Sequence, residues 1–157
     1  METDRRAECA AMHDELDREL MAAIIRSKEE AGGDRIAQIA ALARALGARQ
    51  IGIAHCVAFA DQAQRLAEML EPEFEVTMVG CKVFGLQAGD VLEGVPGGTC
   101  NPVGQAMVLN DAGTDLNVEM GLCLGHDMTF HKHSLAPVTV LIVKDRTTGH
   151  QPLSALS

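Results

Sequence analysis

Residues 50–56 read QIGIAHC, a short apolar run that ends on an imidazole and a thiol. Its length and its isoleucines predict a strand buried on both faces rather than a helix. Downstream, Asp61 caps a helix that carries Leu66, Ala67 and Leu70 and stops at Pro72, and EFEVTMVGC (73–81) is a second strand. A glycine-rich loop spans 82–100, long enough to suggest a functional role. Asn101 and Pro102 then form an N-cap and first helical residue, and Gly113 closes that helix. DLNVEMGLC (115–123) is the third strand, Asp127 begins a short helix, and PVTVLIVKD (137–145) is the fourth strand.

Strands that alternate with helices define βαβ units, and so a parallel sheet with helices on its faces. The predicted fold class is α/β: a small, open, mostly parallel four-stranded sheet, three-layered and flavodoxin- or Rossmann-like, in the order 2-1-3-4. Upstream, residues 3–30 are expected to form one amphipathic helix with Cys9, Met12, Leu16, Leu20 and Ile24 along its apolar stripe. GGD (32–34) breaks it, and Asp34 and Gly47 bound a second helix carrying Ile36, Ile39, Ala43 and Leu46. The expected organisation is a single domain over 1–157, with 1–47 a helical cover for one face of a 48–157 βαβ core. The N-terminal stripe packs either within that domain or between subunits.

Composition narrows the function classes. The chain has 157 residues, a net charge of −9, no Trp or Tyr and four Phe. Binding to a nucleic-acid backbone is disfavoured by that charge, and stacking of bases or sugars by the lack of aromatics. Neither a secretory signal nor a bilayer-spanning run is visible, so the expected location is cytoplasmic. The five cysteines are then reduced thiols or ligands rather than disulfides.

Three of the predicted strands end in cysteine, at Cys56, Cys81 and Cys123, and Cys100 directly precedes the cap of a helix. In a parallel α/β sheet, the strand carboxyl ends and the following helix N-termini share one rim, where ligands bind. Cys56, Cys81, Cys100 and Cys123 are therefore expected to converge, with His55 and His126 nearby. Four thiolates on one rim would suit zinc or an iron–sulfur cluster. Structural zinc sites usually carry closely spaced cysteine pairs, which are absent here, so a cluster held across a cleft fits somewhat better.

Two other readings stand beside this one. GLCLG (121–125) has the form of a nucleophile elbow between strand and helix. That makes Cys123 a possible nucleophile for a hydrolase or transferase, with His126 or His150 as base and Asp127 or Asp145 as orienter. Alternatively, each cysteine is simply a small buried residue, which is the preferred reading for Cys9. Asp127 has the plainer task of capping a helix, EGVPGGT that of making turns, and His131 and His133 that of a solvated helix end.

The motifs CNP (100–102), GLCLGHD (121–127), APVT (136–139) and VKDR (143–146), with GIAHC and VGCKV upstream, resemble domain of unknown function family 1847. The resemblance covers roughly residues 50–157. It implies a small, cysteine-containing protein predicted to bind metal, with no established reaction. Cys56, Cys81, Cys100 and Cys123 are the cysteines that match the family's motifs. Family members often start with a cysteine-rich segment holding a close pair, whereas this chain offers only Cys9, with His13 four residues on, as a remnant.

Overall fold

The computed structural model describes residues 2–30 and 33–157, in two compact units, 1–48 and 49–157. The first unit holds three helices, α1 (Glu2–Met12), α2 (Glu15–Glu30) and α3 (Arg35–Leu46), with α2 packed against α3. The single helix expected over 3–30 is broken at His13-Asp14. There the Asp14 carboxylate accepts the Asp17 N–H and the Asp17 carboxylate accepts the Asp14 N–H, at 2.9 and 3.1 Å. This reciprocal pairing starts a new helix and ends the old one. The stripe assumed over an unbroken helix is lost, and Cys9 is exposed rather than part of a core. Of the GGD break, Gly32 lies outside the described residues. Asp34 caps α3 through the Ala37 N–H, and Gly47 ends it in the left-handed conformation.

The second unit is the predicted α/β fold. Strands β1 (Gln50–His55), β2 (Glu75–Gly80), β3 (Leu116–Met120) and β4 (Val138–Ile142) form one sheet in the order β2-β1-β3-β4, and every pairing is parallel. Helices α4 (Ala60–Leu70), α5 (Pro102–Asp111) and α6 (His126–His133) make the crossovers. The central strands are the most buried, all of β3 and β1 beyond its first residue, which is why they read as near-continuous apolar runs. Gly52 marks the closest approach within them: a Cβ there would lie 2.0 Å from Asn117 Oδ1 and 2.8 Å from Leu109.

Helix starts at the rim differ in detail from expectation. Asn101 caps α5 through the Gly104 N–H, with Pro102 in the first turn, as predicted. Asp61 instead lies in the first turn of α4, because a 3₁₀ turn (Val57–Phe59) already leads the chain off β1. Asp127 likewise sits just inside α6, where its carboxylate accepts the Gly125 and Met128 N–H groups.

A candidate thiol site at the carboxyl rim

The parallel register places Cys56 and Cys81 one residue past the ends of β1 and β2. The Cys56 N–H continues the ladder to Met120 O at 3.1 Å, and the Cys81 carbonyl accepts the Asn101 N–H at 2.8 Å. This second bond ties the start of α5, and Cys100 just before it, to the end of β2. Beyond β3 the chain turns at Gly121 (φ +67°), whose N–H bonds Ile142 O at 2.8 Å, and then reaches Cys123. Only a residue without Cβ fits at Gly121, since an added Cβ would stand 2.0 Å from the Phe59 ring.

Lys144 completes the arrangement. It lies two residues past β4, and its Nζ donates to Cys56 Sγ at 2.9 Å and to Cys123 Sγ at 3.3 Å. Cys81 shares a buried cluster with Cys56, and Cys100 packs against that cluster. The four expected cysteines thus form one run, Cys100, Cys81, Cys56, Lys144, Cys123, and all four are free thiols. Among the described residues, no three His, Cys, Asp or Glu side chains are grouped as a metal ion would require.

The neighbours split the thiols electrostatically. Burial opposes ionisation of Cys56, but the Lys144 ammonium and the Ala58 N–H outweigh it and hold this thiol below its ordinary value. Burial pushes the Cys81 thiol up to about 11, and the adjacent Cys100 and Cys56 add to the rise, against a hydrogen bond from the Val57 N–H. Lys144 is raised, first by its bond to Cys56. The Lys144 ammonium, which favours ionisation of the Cys56 thiol, is thus the electrostatic centre of the rim.

The histidines do less than their positions suggested. The His55 ring bonds the Cys56 carbonyl through Nδ1 at 3.0 Å, and His126 meets Cys123 through a backbone N–H to O bond of 2.8 Å. Asp145 and His150 are together, but Nδ1 of His150 accepts the Asp145 backbone N–H at 3.1 Å while the Asp145 carboxylate serves the Thr147 and Thr148 amides. The His150 ring packs edge-on to Phe59, with centroids 4.8 Å apart. In the first unit, His13 turns its Nδ1 to the Cys9 carbonyl at 2.9 Å.

Three features were missed from sequence. Lys144 stands two residues past the end of β4, on the same carboxyl rim as the cysteines. Gln105, fully buried on α5, donates through Nε2 to His55 O (3.1 Å) and Val79 O (3.0 Å), clasping β1 and β2 beside their thiols. Its Oε1 is buried without a hydrogen-bond partner. His131 is not simply a solvated helix end: its Nε2 meets the buried Glu119 carboxylate at 2.6 Å. Burial raises Glu119, and His131 opposes that rise.

Fold and site together define a small parallel α/β protein with a thiol-lined rim. The family profile described as protein of unknown function (DUF1847) matches residues 2–141, and the chain belongs to that family. It is 41% identical over 127 residues to the uncharacterized protein MJ0455 of Methanocaldococcus jannaschii, a match that covers 78% of this chain and 66% of that protein. No solved structure matches the chain. No helix among the described residues is long and apolar enough to cross a membrane.

Proposed function

We propose that Cys56, Cys81, Cys100 and Cys123 hold an iron–sulfur cluster or a thiophilic ion such as zinc, in a redox or sensing role within the cytoplasm. The observation that carries this reading is that four thiols from four separate segments of chain lie along one rim, with Lys144 joining Cys56 to Cys123. The donor set fits: four soft sulfurs, with the Val57 and Ala58 amides and the Lys144 ammonium as hydrogen-bond donors around them. A closed single-ion site fits less well, because the potential ligands are strung along the rim rather than gathered about one point. A cluster, which spans its ligands, asks less movement of them.

A bound cluster would supply one-electron transfer. The chain's own residues limit water through the burial of Cys56 and Cys81, and Lys144 offsets thiolate charge. Anaerobic purification followed by iron, zinc and acid-labile sulfide analysis tests the proposal. Stoichiometric metal that is lost in Cys→Ser variants at these four positions supports it. A colourless, metal-free protein with four freely titrating rim thiols sinks it.

The Lys144 contacts favour a second reading, a thiol-dependent enzyme. Cys123 is the nucleophile in the elbow form of that reading, yet the shorter lysine contact is to Cys56, 2.9 Å against 3.3 Å. Alkylation kinetics with a small haloacetamide separate the two: one thiol reacting well ahead of the others is expected of an enzyme, and uniform slow labelling argues against it.

A further inference from the structure

We infer that Cys56 and Cys81 form a dithiol–disulfide couple that reduces hydrogen peroxide, an activity that does not depend on bound metal. His55 lies opposite Gly80 in the last pair of the β1–β2 ladder, so Cys56 and Cys81 leave adjacent ends of neighbouring parallel strands and share one buried cluster. Strand spacing is about 4.8 Å. A disulfide accepts Cα separations of about 4.4–6.8 Å, so the pair can close with little backbone movement. Gln105 fixes this spacing by holding the carbonyls of His55 and Val79 from a single amide nitrogen.

The surroundings give the two sulfurs different tasks. Cys56 Sγ receives the Lys144 ammonium at 2.9 Å. That ammonium stands where it can also donate to an oxygen leaving from this sulfur. Cys81 shares a buried cluster with Cys56 at the end of the neighbouring strand, which places it for the second step. In the first step, Cys56 sulfur attacks hydrogen peroxide. An S–O bond forms, the O–O bond breaks, and the departing hydroxide takes the thiol proton to give water and Cys56 sulfenic acid. Cys81 sulfur then attacks the sulfenic sulfur. The S–S bond forms, the S–O bond breaks, and the second hydroxide leaves with the Cys81 proton as water. Two thiols are oxidised to one disulfide, and one peroxide is reduced to two waters.

Burial sets the specificity. Cys56 and Cys81 are only 5% and 2% exposed, so a water-sized oxidant is favoured over a bulky one such as glutathione disulfide. The test uses the full chain, reduced and stripped of metal, with one equivalent of hydrogen peroxide, then alkylation and peptide mapping. A Cys56–Cys81 disulfide and the loss of two hydrogens from the intact mass are expected. Cys81→Ser should stop at a Cys56 sulfenic acid that dimedone captures, and Lys144→Met should slow loss of the Cys56 thiol by about tenfold. Glutathione disulfide should react far more slowly than peroxide. A disulfide between Cys81 and Cys100, oxidation that starts at Cys123, or equal rates with the two oxidants would overturn the inference. Because the protein is metal-free, the result is independent of whether the same thiols bind a cluster.

Discussion

Lys144 is the residue on which the rim turns. Its ammonium faces two sulfurs from strands on either side of the sheet's centre, and it tips Cys56 toward the thiolate despite burial. Replacing it with methionine keeps most of the stem and removes the charge. Alkylation of Cys56 at neutral pH is expected to fall about tenfold in Lys144→Met, measured by mass spectrometry on the folded protein. Unchanged labelling would show that Lys144 is not what lowers the Cys56 thiol. Gly121 is the second decisive residue. Gly121→Ala must place a Cβ in a left-handed backbone position and against Phe59, and should cost about 2–4 kcal/mol in chemical denaturation. The four cysteines were legible because each sits at a strand or helix end, where position is set by topology. Lys144 was not singled out, because its role depends on the reach of a flexible side chain across to two other segments.

Among the elements, the strands and their order follow from apolar runs of strand length separated by capped helices. A parallel sheet buried on both faces leaves few other arrangements for such a pattern. The polar residues inside those runs were harder to interpret. Glu119 alternates with Val118 and Met120 as a solvent-facing residue would, yet it is 3% exposed and is matched by His131 from α6. Nothing local to β3 announces that partner. The break at His13-Asp14 is a different kind of miss: an Asp with a second carboxylate three residues on is a helix start, but the apolar spacing across it imitated continuity. Helix α5 offers the clearest test at this scale, since Gln105 ties it to both β1 and β2. Gln105→Leu leaves the two carbonyls without this donor but also removes the unpartnered Oε1. A net loss of about 1–2 kcal/mol is expected, with faster labelling of both Cys56 and Cys81. Loss of stability without a change in labelling would limit Gln105 to packing.

For the molecule as a whole, the split between neighbouring thiols makes folding depend on alkaline pH in two opposed ways. The ordinary value for both is 9.0. Cys56 is held below it, so its contribution to stability is complete above pH 9 and is lost as pH falls through its folded value. Cys81 is raised to about 11, so its contribution is complete below pH 9 and is lost as pH climbs from there toward 11, where the folded thiol also ionises. The reduced, metal-free protein should therefore show a local maximum of stability near pH 9, with limbs no steeper than about 1.4 kcal/mol per pH unit for each thiol. Urea midpoints between pH 6 and 11, taken under reductant, would trace both limbs. Cys81→Ala should flatten the alkaline limb and Cys56→Ala the other. If Cys81→Ala leaves the alkaline limb unchanged, the buried Cys81 thiol is not the source of that limb. A metal or cluster bound through these thiols would require them deprotonated together, so loading should remove the Cys81 part of the alkaline limb.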